Sequence, residues 1–378
     1  MRGPVAERPA PLVLVTTPRE GAPFGSHTAI VADAQRLLAT DLSRRLGRLG
    51  AAVAPLPASD EAGFHWGRWF VAAARAALGG AGGPVDAIGY AGGGALSLLG
   101  DDGLDALLSP VPGEVVANNR FSADAFVVAG DLDAALAVLE GCDSDNGAPR
   151  ALNEAGFGWR DLGQAPWARF DVDTTLDLAL LRVATRLPSP RRLDEATRRY
   201  LEMARLPGGG ELAVPHLAAI GEVIRDRSAE LVVAGRIPGV TQQELETETA
   251  CRVRSFVEER GMRSARATGS PPRSLLAAFM ARTSAGELVE ELCRMGDAVV
   301  LDTRVLMAAI AGSADAAAWP PEEERFASDY GDASRVATPW LRELAEAAAA
   351  NPVPVLCGGH ALVSDGLRLI VAAAWQGH

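Results

Sequence analysis

The sequence predicts an α/β protein of two domains, and three observations predict it. Short apolar runs alternate with segments of helical periodicity through the first half of the chain; the same alternation restarts in the second half; and the string Leu187-Pro188-Ser189-Pro190-Arg191-Arg192 stands between them. Alternation of this kind builds a mostly parallel sheet covered by helices. Two close prolines remove backbone donors and hold the residues before them extended, so the boundary is expected there, giving domains 1–187 and 192–378. With 378 residues the chain can form two cores, at about 100 to 200 residues per domain.

In the first domain, residues 12–15 read as a short apolar strand, 30–49 as a helix with arginines on its outer face, and 51–55 as a second strand. A helix over 64–78 and a strand over 85–90 follow. Residues 101–108 read as a short helix, 114–118 and 125–129 as strands, and 132–139 as a helix. In the second domain the runs 231–234, 298–301 and 353–356 are continuously apolar and rich in β-branched residues, the pattern of buried parallel strands. Helices are expected over 193–205, 242–260, 273–282, 285–295, 338–350 and 361–374, making this domain the smaller and more helix-rich of the two. Within 242–260, Glu248 with Arg252 and Arg254 with Glu258 stand four apart, as in ion pairs on an exposed helix.

Composition narrows the chemistry. All 36 basic residues are arginine, which excludes a P-loop lysine, a Schiff base and a lysine general base. The net charge of −12 has the wrong sign for a protein that covers a nucleic-acid backbone. No run reaches the roughly 18 apolar residues of a membrane span, and the Pro-rich N-terminus does not read as a signal peptide, so no membrane partner is expected and the expected location is the cytoplasm. The four cysteines never form C-x-x-C, and the five histidines lack any H-x-x-x-H spacing, so neither a zinc knuckle nor a histidine metal site is expected.

The most specific string is Arg169-Phe170-Asp171-Val172-Asp173-Thr174-Thr175-Leu176-Asp177-Leu178. A Thr ahead of an acidic, leucine-rich helix can accept from its first free amides, and Asp177 in the first turn would face the positive end of the helix dipole. The string resembles the D-x-D-T-P-x-D-L segment of MobA-like nucleotidyltransferases, which have the nucleotide-diphospho-sugar transferase fold, a Rossmann-like sandwich. The order of elements over 12–187 is similar as well. The resemblance implies a catalytic Mg²⁺ held with the help of Asp171 or Asp173, with Thr174 and Asp177 capping the next helix.

Two departures qualify what the resemblance implies. The family's Gly-rich loop after the first strand keeps a lysine, whereas here Gly21, Gly25 and Arg19 are the residues left as phosphate contacts. Where the family places its central metal aspartate, this chain reads Gly89-Tyr90-Ala91-Gly92-Gly93-Gly94, with no carboxylate before Asp101. Without a carboxylate pair on Mg²⁺, in-line transfer from a nucleoside triphosphate loses its charge clamp. A degenerate, binding-only first domain therefore stands beside a working transferase.

Asn118, Asn119, Ser122 and Asp124 cluster at the end of a predicted strand, where open α/β sheets bind ligands, and offer edges that suit sugar hydroxyls or a purine. In the second domain, strands end in Ala234-Gly235-Arg236, Asp302-Thr303-Arg304 and Gly358-Gly359-His360. Parallel strands would bring Asp302, Arg304, Gly358, Gly359 and His360 around one concave site for an anionic ligand, with His360 and Asp302 as the acid–base pair. The leading expectation is nucleotide or nucleotide-sugar binding, with Mg²⁺-dependent NMP transfer to a small phosphorylated acceptor as the active form. The alternatives are an inactive first domain with an anionic-metabolite site in the second, and a non-enzymatic regulatory or interaction protein.

Overall fold

Both halves of the chain form α/β sheets in the computed structural model, which describes residues 10–18, 21–57, 64–120, 122–162, 165–188, 191–259, 262 and 271–376. The chain divides into two compact units, Met1–Glu20 with Gln35–Arg169 and Gly21–Ala34 with Phe170–His378. No helix among the described residues is long and apolar enough to cross a membrane.

In the first unit, β1 (Leu12–Thr17) leads to α1 (His27–Arg48), whose first residues belong to the second unit, then to β2 (Ala52–Pro57), α2 (Trp66–Gly79) and β3 (Ala87–Ala91). After α3 (Asp101–Leu107) come β4 (Glu114–Ala117), β5 (Ala125–Ala129), α4 (Leu132–Glu140), α5 (Ala148–Glu154) and β6 (Gly158–Asp161). The strands lie in the order β2-β1-β3-β5-β4-β6, with β5 antiparallel to both neighbours and the rest parallel.

Alternation along the strands divides the buried side chains between the two faces of this sheet. Leu12, Leu14, Ile88, Tyr90, Val115, Phe126 and Val128 pack with Trp66, Phe70, Leu136 and Leu139. Val13, Val15, Ala91, Val116 and Val127 pack with Leu42, Leu46 and Leu104. Burial on both faces is why these strands read as continuous apolar runs.

The second unit starts with α6 (Thr175–Ala184), α7 (Glu195–Met203) and α8 (Leu217–Arg225), followed by β7 (Glu230–Gly235), α9 (Gly239–Glu248) and β8 (Arg252–Val257). It continues through α10 (Leu275–Met280), α11 (Ala285–Arg294), β9 (Ala298–Asp302), α12 (Thr303–Ala311), α13 (Glu322–Asp329), α14 (Pro339–Ala350) and β10 (Val355–Gly358). A π-helical turn (Leu362–Gly366) then leads into α15 (Leu367–Ala374). Its four-stranded sheet is parallel throughout, in the order β10-β9-β7-β8.

The structure differs from the sequence expectations at three places. The division between units falls at Arg169/Phe170, because α6 packs against α7, α13 and α15; of the expected boundary string, Ser189 and Pro190 lie outside the described residues. The helix expected over 242–260 stops at Glu248, and Arg252–Val257 becomes the edge strand β8. There Arg254 pairs across the ladder with Glu230 at 2.6 Å, so backbone pairing with β7 replaces the expected i,i+4 ion pairs. Helices α5, α8, α12 and α13 and strand β6 carry no sequence expectation, being short or made of residues that suit several conformations.

Candidate functional sites at two sheet edges

In each unit the strand order reverses at one place, and in open α/β sheets the crevice beyond the carboxyl ends of the strands at that place is where ligands bind. In the first unit β1 is followed by β2 on one side and by β3 on the other, so the reversal lies between β1 and β3. The second unit has the same feature between β7 and β9, since β8 lies on one side of β7 and β9 on the other.

At the first edge the glycine run after β3 turns tightly against β1. The Gly93 amide donates to Thr16 Oγ1 at 2.7 Å, and a Cβ on Gly93 would stand 2.7 Å from the Thr16 carbonyl oxygen. Asn118, 1% exposed, closes the connection from β4 to β5: its Oδ1 accepts from the amides of Asp124 and Ala125, and its Nδ2 donates to Asp124 Oδ2 and to the Ala168 carbonyl. Asn118 is thus the brace of the edge rather than its open face. The remaining groups form a chain in which the Tyr90 hydroxyl donates to Asp145 Oδ2 at 2.9 Å, the Asn146 amide donates to Asp145 Oδ1 at 2.8 Å, and the Ser122 hydroxyl donates to Asn146 Oδ1 at 2.5 Å. Burial, reinforced by the Asp145 carboxylate, pushes the Tyr90 phenol well above its ordinary range, so it stays a donor.

Asn119, Ser122 and Asp124 are half-buried at this same edge. Gly21 and Gly25, expected beside them, fall in the segment grouped with the second unit, and Arg19 lies outside the described residues. Tyr90 is contributed by structure alone, whereas Asp145 and Asn146 belong to the string Asp143-Ser144-Asp145-Asn146, which in the sequence reads as a weaker cluster of the same polar kind and more as a solvated loop.

At the second edge Asp302, Arg304, Gly358, Gly359 and His360 come together. Gly358 is in register with Asp302 on the neighbouring strand. Asp302 is wholly buried; it accepts from Arg236 Nε at 2.6 Å, from Arg236 Nη2 at 3.0 Å and from the Arg304 amide at 3.1 Å. This approach requires glycine at 235, whose φ is +126° and whose Cβ would stand 2.3 Å from Asp302 Cβ. Burial alone would push the Asp302 carboxyl up, but the charges of Arg236, His360 and Arg304 hold it below the usual carboxylate range. Arg304 in turn grips Asp329 through two bonds of 2.7 and 2.6 Å and donates to Thr303 Oγ1 at 2.9 Å. His360 is half-buried at the start of the helix after β10.

Asp171 and Asp173 belong to this unit too. The Asp171 side chain accepts from the Val172 amide at 2.8 Å. Thr174 and Asp177 form a reciprocal capping box at the start of α6. Asp177 Oδ2 also accepts from the Asp173 amide at 3.1 Å. Burial, then the charge of Asp173, pushes the Asp177 carboxyl up to about 7. Beside this cap His27, 1% exposed, places Nδ1 2.9 Å from Thr175 Oγ1, while Glu323 accepts from the amides of His27 and Thr28 at 3.0 Å each. Neither His27 nor Asp329 carries a local sequence signal that would have singled it out.

The chain matches no family model and no curated protein. Among solved structures it is similar to a candidate nucleotide-diphospho-sugar transferase from Desulfovibrio desulfuricans G20, at 15% identity over 51% of this chain and 94% of that one, with a TM-score of 0.38. A likeness of that extent assigns neither ligand nor chemistry.

Proposed function

We propose that the first unit binds a nucleotide or nucleotide-sugar at the carboxyl edge of its sheet. The observation that carries this reading is the reversal of strand order between β1 and β3, occupied by a glycine turn and flanked by Ser122, Asp124, Asp145 and Asn146. Hydroxyl, carboxylate and amide groups held by one another in fixed directions are the donors and acceptors that ribose, sugar hydroxyls and base edges need. A rigid framework of this kind binds with little ordering cost.

NMP transfer to a small phosphorylated acceptor, with magnesium, rests on the resemblance of residues 169–178 and needs a carboxylate set for the metal. The side chains do not fit that requirement. Among the described residues no three His, Cys, Asp or Glu side chains gather as metal ligands. Asp124 already accepts from Asn118, Asp145 accepts from Tyr90 and Asn146, and Asp171 and Asp173 flank a helix cap. Nucleotide binding at this edge therefore stands without a metal.

Calorimetric titration of the full chain with nucleoside diphosphates, triphosphates and nucleotide-sugars tests the proposal, each with magnesium and with a chelator. Saturable binding that survives chelation and is lost in a Ser122→Ala/Asp124→Asn double variant is expected. Absence of saturable heat with every nucleotide at millimolar concentration overturns the reading.

A further inference from the structure

We propose that the second unit holds a separate site for a phosphoryl group, at the start of α9 beyond the carboxyl end of β7. Four observations converge on it, and none depends on the first unit.

The place is the second sheet's reversal of strand order, between β7 and β9. The chain leaves β7 at Gly235, runs through Arg236-Ile237-Pro238, and enters α9 at Gly239, so a ten-residue helix opens directly on that crevice. Its N-terminus is uncapped: Pro238 provides no side-chain bond, and the amides of Gly239, Val240 and Thr241 have no acceptor among the described residues. By contrast α12, across the reversal, has its cap in Asp302.

A buried polar group points to the same ligand independently. The Thr241 side chain is 1% exposed, yet its hydroxyl has no hydrogen-bond partner among the described residues. Leaving such a group unpaired costs free energy that a bound oxyanion would recover. Arg236 adds charge three residues before the helix: Nε and Nη2 are taken by Asp302, and Nη1 has no partner among the described residues. The Asp302 carboxylate thereby fixes the guanidinium plane without using all its donors. Gly239 is exposed, and a Cβ added there would meet nothing within 4 Å, which leaves room above the amides.

Free amides at a helix start, a hydroxyl in the same turn and a guanidinium edge suit a tetrahedral group that presents three oxygens. A planar carboxylate presents only two. The ligand class is therefore a small phosphate ester, with inorganic phosphate as the minimal probe.

The test is thermal stabilisation of the full chain by inorganic phosphate and glycerol 3-phosphate, with malonate as the carboxylate control. Two variants carry it. Thr241→Val keeps the shape and removes the hydroxyl, and is expected to weaken phosphate binding by about tenfold or more. Gly239→Asp sets a carboxylate over the free amides, which suits the helix dipole and so leaves the fold intact, and is expected to abolish the phosphate effect. The Ser122→Ala/Asp124→Asn variant of the first unit is expected to respond to phosphate as the unaltered chain does, so the two sites fail or succeed separately. The proposal is overturned by absence of stabilisation by either phosphate in the unaltered chain. Stabilisation retained in both Thr241→Val and Gly239→Asp, or stronger stabilisation by malonate than by phosphate, overturns it equally.

Discussion

Arg236 and Asp302 join the carboxyl ends of β7 and β9 across the point where the second sheet's order reverses, through Nε and Nη2 bonds of 2.6 and 3.0 Å to a carboxylate with no exposed surface. The pair ties together the two loops that flank the proposed phosphate site. A buried pair of this kind is weak evidence of net stabilisation, but breaking it is costly because one charge is left without its partner.

Asp302→Ala should therefore destabilise the protein by about 3–5 kcal/mol, since Arg236 would lose the carboxylate that it grips through Nε and Nη2. Urea unfolding of the variant beside the unaltered chain measures this. A loss under about 1 kcal/mol would mean that the guanidinium is satisfied some other way.

The Asp177 carboxyl, raised to about 7 by burial and by Asp173, binds its proton more tightly in the folded than in the unfolded chain. Its contribution to stability is full below the unfolded value of about 4 and is lost as pH rises through about 7. The stability difference between the unaltered chain and Asp177→Asn should change with pH across that window. Asp173→Asn should shift the upper end of the window downward, because it removes the neighbouring charge. A pH-independent difference would show that the bonds Asp177 accepts from the Asp173 and Thr174 amides and from the Thr174 hydroxyl keep it ionised throughout.

His27 has the opposite sign. Burial lowers its pKa, against the pull of the Glu323 and Asp332 carboxylates, so the folded chain favours the neutral ring. Its contribution is present above the unfolded value of about 6.5 and is lost as pH falls through the lower folded value. His27→Gln should reduce the acid sensitivity of unfolding below neutrality. An unchanged acid limb in the melting profile would count against a neutral buried ring.

Gly93→Val should separate the β1 and β3 loops, because the added Cβ would meet the Thr16 carbonyl oxygen at 2.7 Å. Overpacking of this kind costs about 1–3 kcal/mol, and nucleotide binding at the first edge should fall with it. Paired denaturation and titration experiments separate the two effects. Loss of stability with unchanged affinity would place the ligand away from the glycine turn.

The amino-acid sequence by itself determined the α/β class, most of the buried strands and the helix cap at Thr174 and Asp177. These depend on local signals: a continuously apolar run means burial on both faces, and a Thr with an acidic residue three positions on satisfies free amides wherever it stands. It also brought Asp302, Arg304 and the Gly358-Gly359-His360 turn to one sheet edge, because short strands linked by helices run parallel. Only the tertiary structure decided the rest. Residues 252–257 could read as helix until β7 offered them a ladder, and α6 could be assigned to either half until its packing against α7, α13 and α15 grouped it with the second. The partners Asp329 for Arg304 and Arg236 for Asp302 are 25 and 66 residues away in the chain. Spacing along a sequence does not encode such pairings, because they are chosen by which surfaces the fold brings together out of water.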